Sequence, residues 1–122
     1  KNMDIRVIDA QTFEQLSLIR CGIMPIALKL SRDGKQTYVV SHGSGELHII
    51  DNATQKATSV RIGNDCRDVA STMDGKWAYV TNRGDNTVSV VDASAKKAVA
   101  TVQVGKSPVG IALNESTSLR SR

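Results

Sequence analysis

An all-β fold, a β-propeller of about three incomplete four-stranded blades, is predicted by three observations on this chain. The first is an internal repeat of 41–42 residues. Aliphatic pairs that end in aspartate recur at Val7-Ile8-Asp9, Ile49-Ile50-Asp51 and Val90-Val91-Asp92, with the aspartates 42 and 41 residues apart. Gly22, Gly63 and Gly105 follow at separations of 41 and 42, and three residues beyond them stand Pro25, Cys66 and Pro108. The second observation is strand periodicity. Glu46-Leu47-His48-Ile49-Ile50 and Thr87-Val88-Ser89-Val90-Val91 place apolar residues at every second position, which buries one face more than the other. The third is turn chemistry at fixed places. Asp33-Gly34 and Asp74-Gly75 precede the matching strands Tyr38-Val39-Val40-Ser41 and Tyr79-Val80-Thr81-Asn82. Asp-Gly tolerates positive φ, and Asp9, Asp51 and Asp92 can accept hydrogen bonds from amides two residues on.

Taken in order, residues 4–20 read as the two outer strands of one blade. Residues 26–62 and 67–104 read as complete blades, the latter with strands expected at 67–72, 76–82, 87–92 and 97–104. Residues 109–113 read as the inner strand of another blade, and 114–122 as a polar tail where the pattern stops. Propellers close with roughly four blades or more. The expectation is therefore an arc, either a piece of a longer propeller or one part of an oligomeric ring. Its further blades would come from the rest of the chain or from other copies.

Composition narrows the function classes. The chain has 122 residues, 40% hydrophobic, with sixteen basic and twelve acidic side chains for a net charge of +4. The charges alternate in sign, so a nucleic-acid stripe is not expected. No apolar run approaches the ~20 residues of a membrane-spanning helix. Cys21 and Cys66 show neither a disulfide framework nor metal-ligand spacing, and are expected as free thiols. No GxGxxG, GxxxxGK[ST], HExxH, GxSxG or Cys-x-x-Cys-His occurs, so no catalytic constellation is legible.

Three stretches together resemble the YVTN-type β-propeller repeat. They are Tyr79-Val80-Thr81-Asn82, then Gly84-Asp85-Asn86-Thr87-Val88-Ser89-Val90-Val91-Asp92, then Val102-Gln103-Val104-Gly105-Lys106-Ser107-Pro108-Val109-Gly110-Ile111-Ala112. The first repeat is looser, with Tyr38-Val39-Val40-Ser41-His42 in place of the signature. The resemblance implies the fold and a periplasmic or extracellular location. Its functional content is weak, because propellers carry many unrelated sites.

In such a fold the loops entering the inner strands share one face with the second-to-third-strand turns. On that mapping Asp65, Arg67, His42 and Arg83 are the candidate ligand-binding residues. Arg67 stands where the other repeats have Ile26 and Val109, so the scaffold does not require it. Arg67 and Asp65 could bind an anionic group or simply each other, and Asp68 could pair with Arg67. His42 stands where the next repeat has Arg83, and is either a ligand for iron or another metal or a solvated loop residue. His48 and Trp77 read as structural, and Cys66 as packing in a proline's place. The functional expectation is a non-catalytic binding or scaffold module that presents its loop face to a small molecule or protein, without a cofactor. The alternative is a haem-binding oxidoreductase-type propeller, similar to the haem-d domain of nitrite reductases, or its assembly factor, with His42, Arg67 and Arg83 toward iron and propionates.

Overall fold

The computed structural model describes residues 3–115, and these contain ten strands and no helix. Strands β1 (Asp4–Ile8) and β2 (Gln15–Arg20) form a two-stranded sheet. Strands β3 (Pro25–Leu30), β4 (Gln36–Ser41), β5 (Glu46–Asp51) and β6 (Ala57–Arg61) form a four-stranded antiparallel meander. Strands β7 (Cys66–Ser71), β8 (Trp77–Asn82), β9 (Thr87–Asp92) and β10 (Lys97–Gln103) repeat it. The chain is thus all-β, a run of partial propeller blades, and no helix in the described residues is long and apolar enough to cross a membrane.

The turns behave as their residue types dictate. Asp9 Oδ1 accepts the amides of Gln11 and Thr12 at 2.8 and 2.9 Å. Asp51 does the same for Ala53 and Thr54 at 2.9 and 3.0 Å, and Asp92 for Ser94 and Ala95 at 3.0 and 2.9 Å. Each short carboxylate thereby satisfies two amides that the turn takes out of the ladder. The turn then closes on Phe13, Gln55 or Lys96, all in the left-handed region (φ 62, 61 and 56°). Asp33 and Asp74 fasten the first hairpin of each meander through the amides of Lys35 and Lys76, both at 3.0 Å.

The core lies between successive sheets. Tyr38, Val40, Leu47, Ile49 and Val60 of one meander pack with Cys66, Val69, Ala78, Val80 and Val91 of the next. On the other face Val39 and Ile50 pack with Ile19, Ile5 and Val7 of the two-stranded sheet. Alternation along β4 therefore buries both faces, with Tyr38 and Val40 to one side and Val39 to the other. The expected single favoured face holds along β9, where Thr87, Ser89 and Val91 are the more buried, but is corrected for β5, buried from Leu47 to Ile50, because a sheet stacked between two sheets has no solvent side. Each fully buried Val or Ile contributes about 1.5–3 kcal/mol relative to exposure. The outermost strand β10 is exposed along its whole length.

Two features depart from expectation. Residues 109–113, expected as an inner strand, form no ladder among the described residues. A strand needs a hydrogen-bonded neighbour, and this segment is held from the side instead. Thr81 Oγ1 donates to the Val109 carbonyl at 2.7 Å, and the Ile111 amide donates to Asp68 Oδ2 at 3.2 Å. The second departure concerns Asp68, which contacts Lys29 of β3 at 3.9 Å rather than Arg67. Arg67 is instead drawn to Asp65, its Nε 2.7 Å from Oδ1, where the β7–β8 register is interrupted between Cys66 and Val69. Of the expected polar tail 114–122, residues 116–122 lie outside the described residues.

Candidate functional site

Asp65, Arg67, His42 and Arg83 come together at one end of the sheets, around a single carboxylate. His42 sits in the β4–β5 turn, Asp65 in the β6–β7 connection, Arg67 on β7 and Arg83 in the β8–β9 turn. The backbone brings them there by a repeated device. Met24, Asp65 and Ser107 each adopt a left-handed conformation (φ 57, 54 and 56°) just before Pro25, Cys66 and Pro108. The first two carbonyls then accept the amides of His42 and Arg83, at 2.9 and 3.0 Å. This ties each inter-sheet connection to a turn of the sheet it leads into, so every such connection and turn share one end.

The neighbouring loop is packed closely. Gly45 (φ 67°) lies against the Gly63 carbonyl, so any side chain there would be both strained and obstructed. Asn64 is held by Asp85 through its amide at 2.9 Å and its side chain at 3.0 Å. Cys66 is buried, with its thiol 3.4 Å from both the Gly63 carbonyl and Asn82 Oδ1. Burial pushes that thiol's pKa up, as it does for Cys21, and both cysteines are free. Such thiols are packing groups rather than nucleophiles.

On this frame His42 Nδ1 lies 2.6 Å and Arg67 Nε 2.7 Å from Asp65 Oδ1, while Arg83 reaches Oδ2 at 3.4 Å. Burial would raise the Asp65 carboxyl, but Arg67, His42 and Arg83 outweigh it and hold the group below the usual carboxylate range. His42 Nδ1, Asp65 Oδ1 and Arg67 Nε are buried yet lack an aligned hydrogen bond. Their pairing is therefore electrostatic and leaves donor capacity unused. Two guanidinium groups face one carboxylate, which leaves an excess of positive charge for an anionic group.

A pocket of about 120 Å³ opens beside the cluster, lined by His42, Ser44, Arg61, Gly63, Asn64 and Asp65. Sequence reasoning did not single out Arg61. It stands at the repeat position of Arg20, so nothing in the pattern marked it as different. A larger groove of about 360 Å³ lies elsewhere, between β1 and β3, lined by Ile5, Val7, Ile19, Leu28 and Ile50 among others. Its lining is mostly aliphatic and offers little chemistry. Among the described residues no group of three His, Cys, Asp or Glu side chains is placed to hold a metal ion by itself.

The sequence profile of the cytochrome D1 heme domain matches residues 1–117. The chain belongs to the cytochrome d1 haem domain family. No curated protein matches it by sequence. Among solved structures, hydrazine synthase of Kuenenia stuttgartiensis is similar with a TM-score of 0.80 at 22% identity, over 87% of this chain and 31% of that one. The dihydro-heme d1 dehydrogenase NirN, solved in complex with DHE, is similar at 0.75 and 24%, over 83% of this chain and 22% of that one. AztD from Citrobacter koseri follows at 0.74 and 21%, over 88% and 32%. Identities this low carry the fold alone. The chain spans about a third or less of the length of these proteins.

The donor set suits a d1-type haem chemically. Histidine is an iron ligand, and guanidinium groups match carboxylate side chains with two parallel hydrogen bonds. The buried His42 Nδ1 and Arg67 Nε are already turned to Asp65, so the other ring nitrogen and the remaining guanidinium groups are the donors left for such a ligand. The adjoining pocket is too small to enclose a macrocycle, since pockets that bury drug-sized ligands run to ~300–1,000 Å³. The fit is therefore one of donor chemistry at an open rim.

Proposed function

We propose that this chain is part of a tetrapyrrole-binding propeller, with the Asp65-centred cluster as its point of contact. His42 is the iron ligand, and Arg67 and Arg83 bind the carboxylates of the macrocycle. The observation that carries this reading is the convergence of a histidine and two arginines on one end of a d1-family propeller. When bound, the haem supplies one-electron redox chemistry at iron, and the protein's part is ligation, charge neutralisation and orientation. The likeness to NirN, a dihydro-heme d1 dehydrogenase, supports the same reading. Placement in the periplasm or outside the cell follows from the resemblance to exported YVTN-type propellers.

A non-catalytic platform for a small molecule or protein is the second reading, favoured by the small, polar pocket that adjoins the cluster. The absorption spectrum of the full polypeptide, with and without added haem, separates the two. A ligand-field signature that His42→Ala abolishes is expected from the haem reading. An unchanged spectrum, with haem left free in solution, would favour the platform.

A further inference from the structure

We infer that the buried pair His48 and Glu46 is a proton-operated latch on the connection between the first two sheets. A neutral His48 ring holds residues 22–24, and with them the turn that carries His42; a protonated ring releases both. The latch belongs to the fold around the cluster and does not depend on which ligand the cluster takes.

His48 shares a face of β5 with Ile50, which packs on the two-stranded sheet, and it is 7% exposed. Its Nε2 accepts the Gly22 amide at 2.8 Å and stands 3.4 Å from Glu46 Oε2. Gly22 is seated against both, since a Cβ there would meet Nε2 at 2.8 Å and Oε2 at 2.6 Å. A ring nitrogen that accepts an amide carries no hydrogen. Once protonated, Nε2 is a donor, so the Gly22 amide loses its acceptor and the new N–H is drawn to the Glu46 carboxylate. Burial opposes the charged ring more than Glu46 favours it, which places the change below the ordinary histidine value of 6.5. The hold is thus present above pH 6.5 and is lost as pH falls through the lower folded value. Few other charges face the ring. Asp4, Arg6 and Arg20 alternate with Ile5, Val7 and Ile19, which turn to the second sheet, so they point away. Arg61 stands opposite Glu46 on β6 but forms no ion pair with it or with His48 among the described residues. Cys21 lies on the facing side, and burial pushes its thiol pKa up, so it stays neutral.

The latched segment leads to the candidate cluster. The Ile23 amide donates to Ser44 Oγ at 3.2 Å, and the Ile23 and Met24 carbonyls accept the Gly43 and His42 amides, both at 2.9 Å. The next connection repeats these bonds. There the Asn64 amide donates to Asp85 at 2.9 Å, and the Asn64 and Asp65 carbonyls accept the Gly84 and Arg83 amides at 3.1 and 3.0 Å. It lacks the titratable bond, because Ser89 stands 41 residues on, in the place of His48. Asn82 ties Ser89 and Thr87 to itself at 2.8 and 3.1 Å. Ser41, in the place of Asn82, reaches neither His48 nor Glu46, and its buried Oγ has no partner. His48 is therefore left to the connection. The scaffold does not require a histidine here, and the second connection serves as an internal control.

The test follows amide hydrogen exchange, as protection factors, in the full polypeptide without ligand. It compares about pH 7.5 with about pH 5, above the range in which the turn aspartates titrate. Gly22, His42 and Gly43 should lose roughly tenfold or more of their protection at the lower pH, while Asn64, Arg83 and Gly84 keep theirs. His48→Gln offers Gly22 an acceptor that does not titrate, and should abolish the change. Glu46→Gln removes the group that draws the proton, and should move the midpoint to lower pH; it also carries the test if His48→Gln fails to fold. Protection at His42 and Gly43 that ignores pH overturns the inference. So does an equal loss at Asn64, Arg83 and Gly84, or a loss that persists in His48→Gln. A midpoint left in place by Glu46→Gln overturns the pairing of the two residues.

Discussion

His42 Nδ1 and Asp65 Oδ1 stand 2.6 Å apart although they belong to different sheets, one in the β4–β5 turn and the other in the connection to β7. The contact joins a turn of one sheet to the entry loop of the next, so it reports how the two sheets are stacked. Arg67 and Arg83 complete the group from the same side. Any ligand that engages the cluster senses both sheets at once.

Arg67→Ile restores the residue of the first repeat. Ile26 is tolerated half-exposed at the equivalent place, so stability should change little. Haem affinity should fall roughly tenfold or more, since a hydrogen bond to a charged group contributes ~1.5–3 kcal/mol. Titration followed by absorbance measures this, and an unchanged affinity removes Arg67 from the site.

The close approach of Gly45 to the Gly63 carbonyl gives a paired glycine test. Gly45→Ala meets a left-handed φ and an occupied space, and should lower stability by about 2 kcal/mol or more. Gly105→Ala meets open space and should be close to neutral. Melting temperatures compare the two, and equal shifts would mean the loops do not pack as described.

His48 supplies a pH dependence. Burial pushes its pKa below 6.5, against the opposing pull of Glu46, and its Nε2 accepts the Gly22 amide at 2.8 Å. The neutral ring is therefore the folded form. Its contribution is present above pH 6.5 and is lost as pH falls from there through the lower folded value. The melting temperature should drop across that window, and His48→Gln should flatten the drop. A wild type with no slope there would mean that Nε2 is not held by Gly22.

A separate acid limb comes from the turn aspartates. Backbone amides are the largest cause that lowers the carboxyls of Asp9, Asp33, Asp51 and Asp85, while the Thr72 hydroxyl is the largest for Asp74. Their depressed folded values stabilise the protein above the ordinary carboxyl pKa of 3.8, and that contribution is lost as pH falls further. Acid unfolding should begin below that value. Replacing Asp9 and Asp51 by Asn should weaken this limb while leaving the His48 limb intact.

Thr81→Val tests the side anchorage of residues 109–113. The buried hydroxyl donates to the Val109 carbonyl and accepts the Asp68 amide at 3.1 Å. The isosteric loss leaves both groups unpaired and should cost about 1–3 kcal/mol. Hydrogen exchange at Ile111 and Asp68 should accelerate together. Unchanged exchange at Ile111 would show that this segment is held by other contacts.

Strands and turns were legible in the sequence because their causes are local. Val90-Val91-Asp92 carries its own periodicity and its own turn acceptor, and a repeat at 41–42 residues states that the unit recurs. The same repeat exposed Arg67 as a departure, since an arginine in an aliphatic column has no scaffold reason. Two-sided burial of β4 was not legible, because one strand's alternation does not say how many sheets cover it. Nor was the choice of partners. Asp65 taking His42 and Arg67, while Asp68 takes Lys29 and the Ile111 amide, depends on the offset between successive sheets and on which end of the stack each loop reaches. Residue types set what can be paired. Distance between loops that are far apart in the chain is decided only when apolar faces stack, and that stacking brings four polar side chains onto one carboxylate's end of the arc.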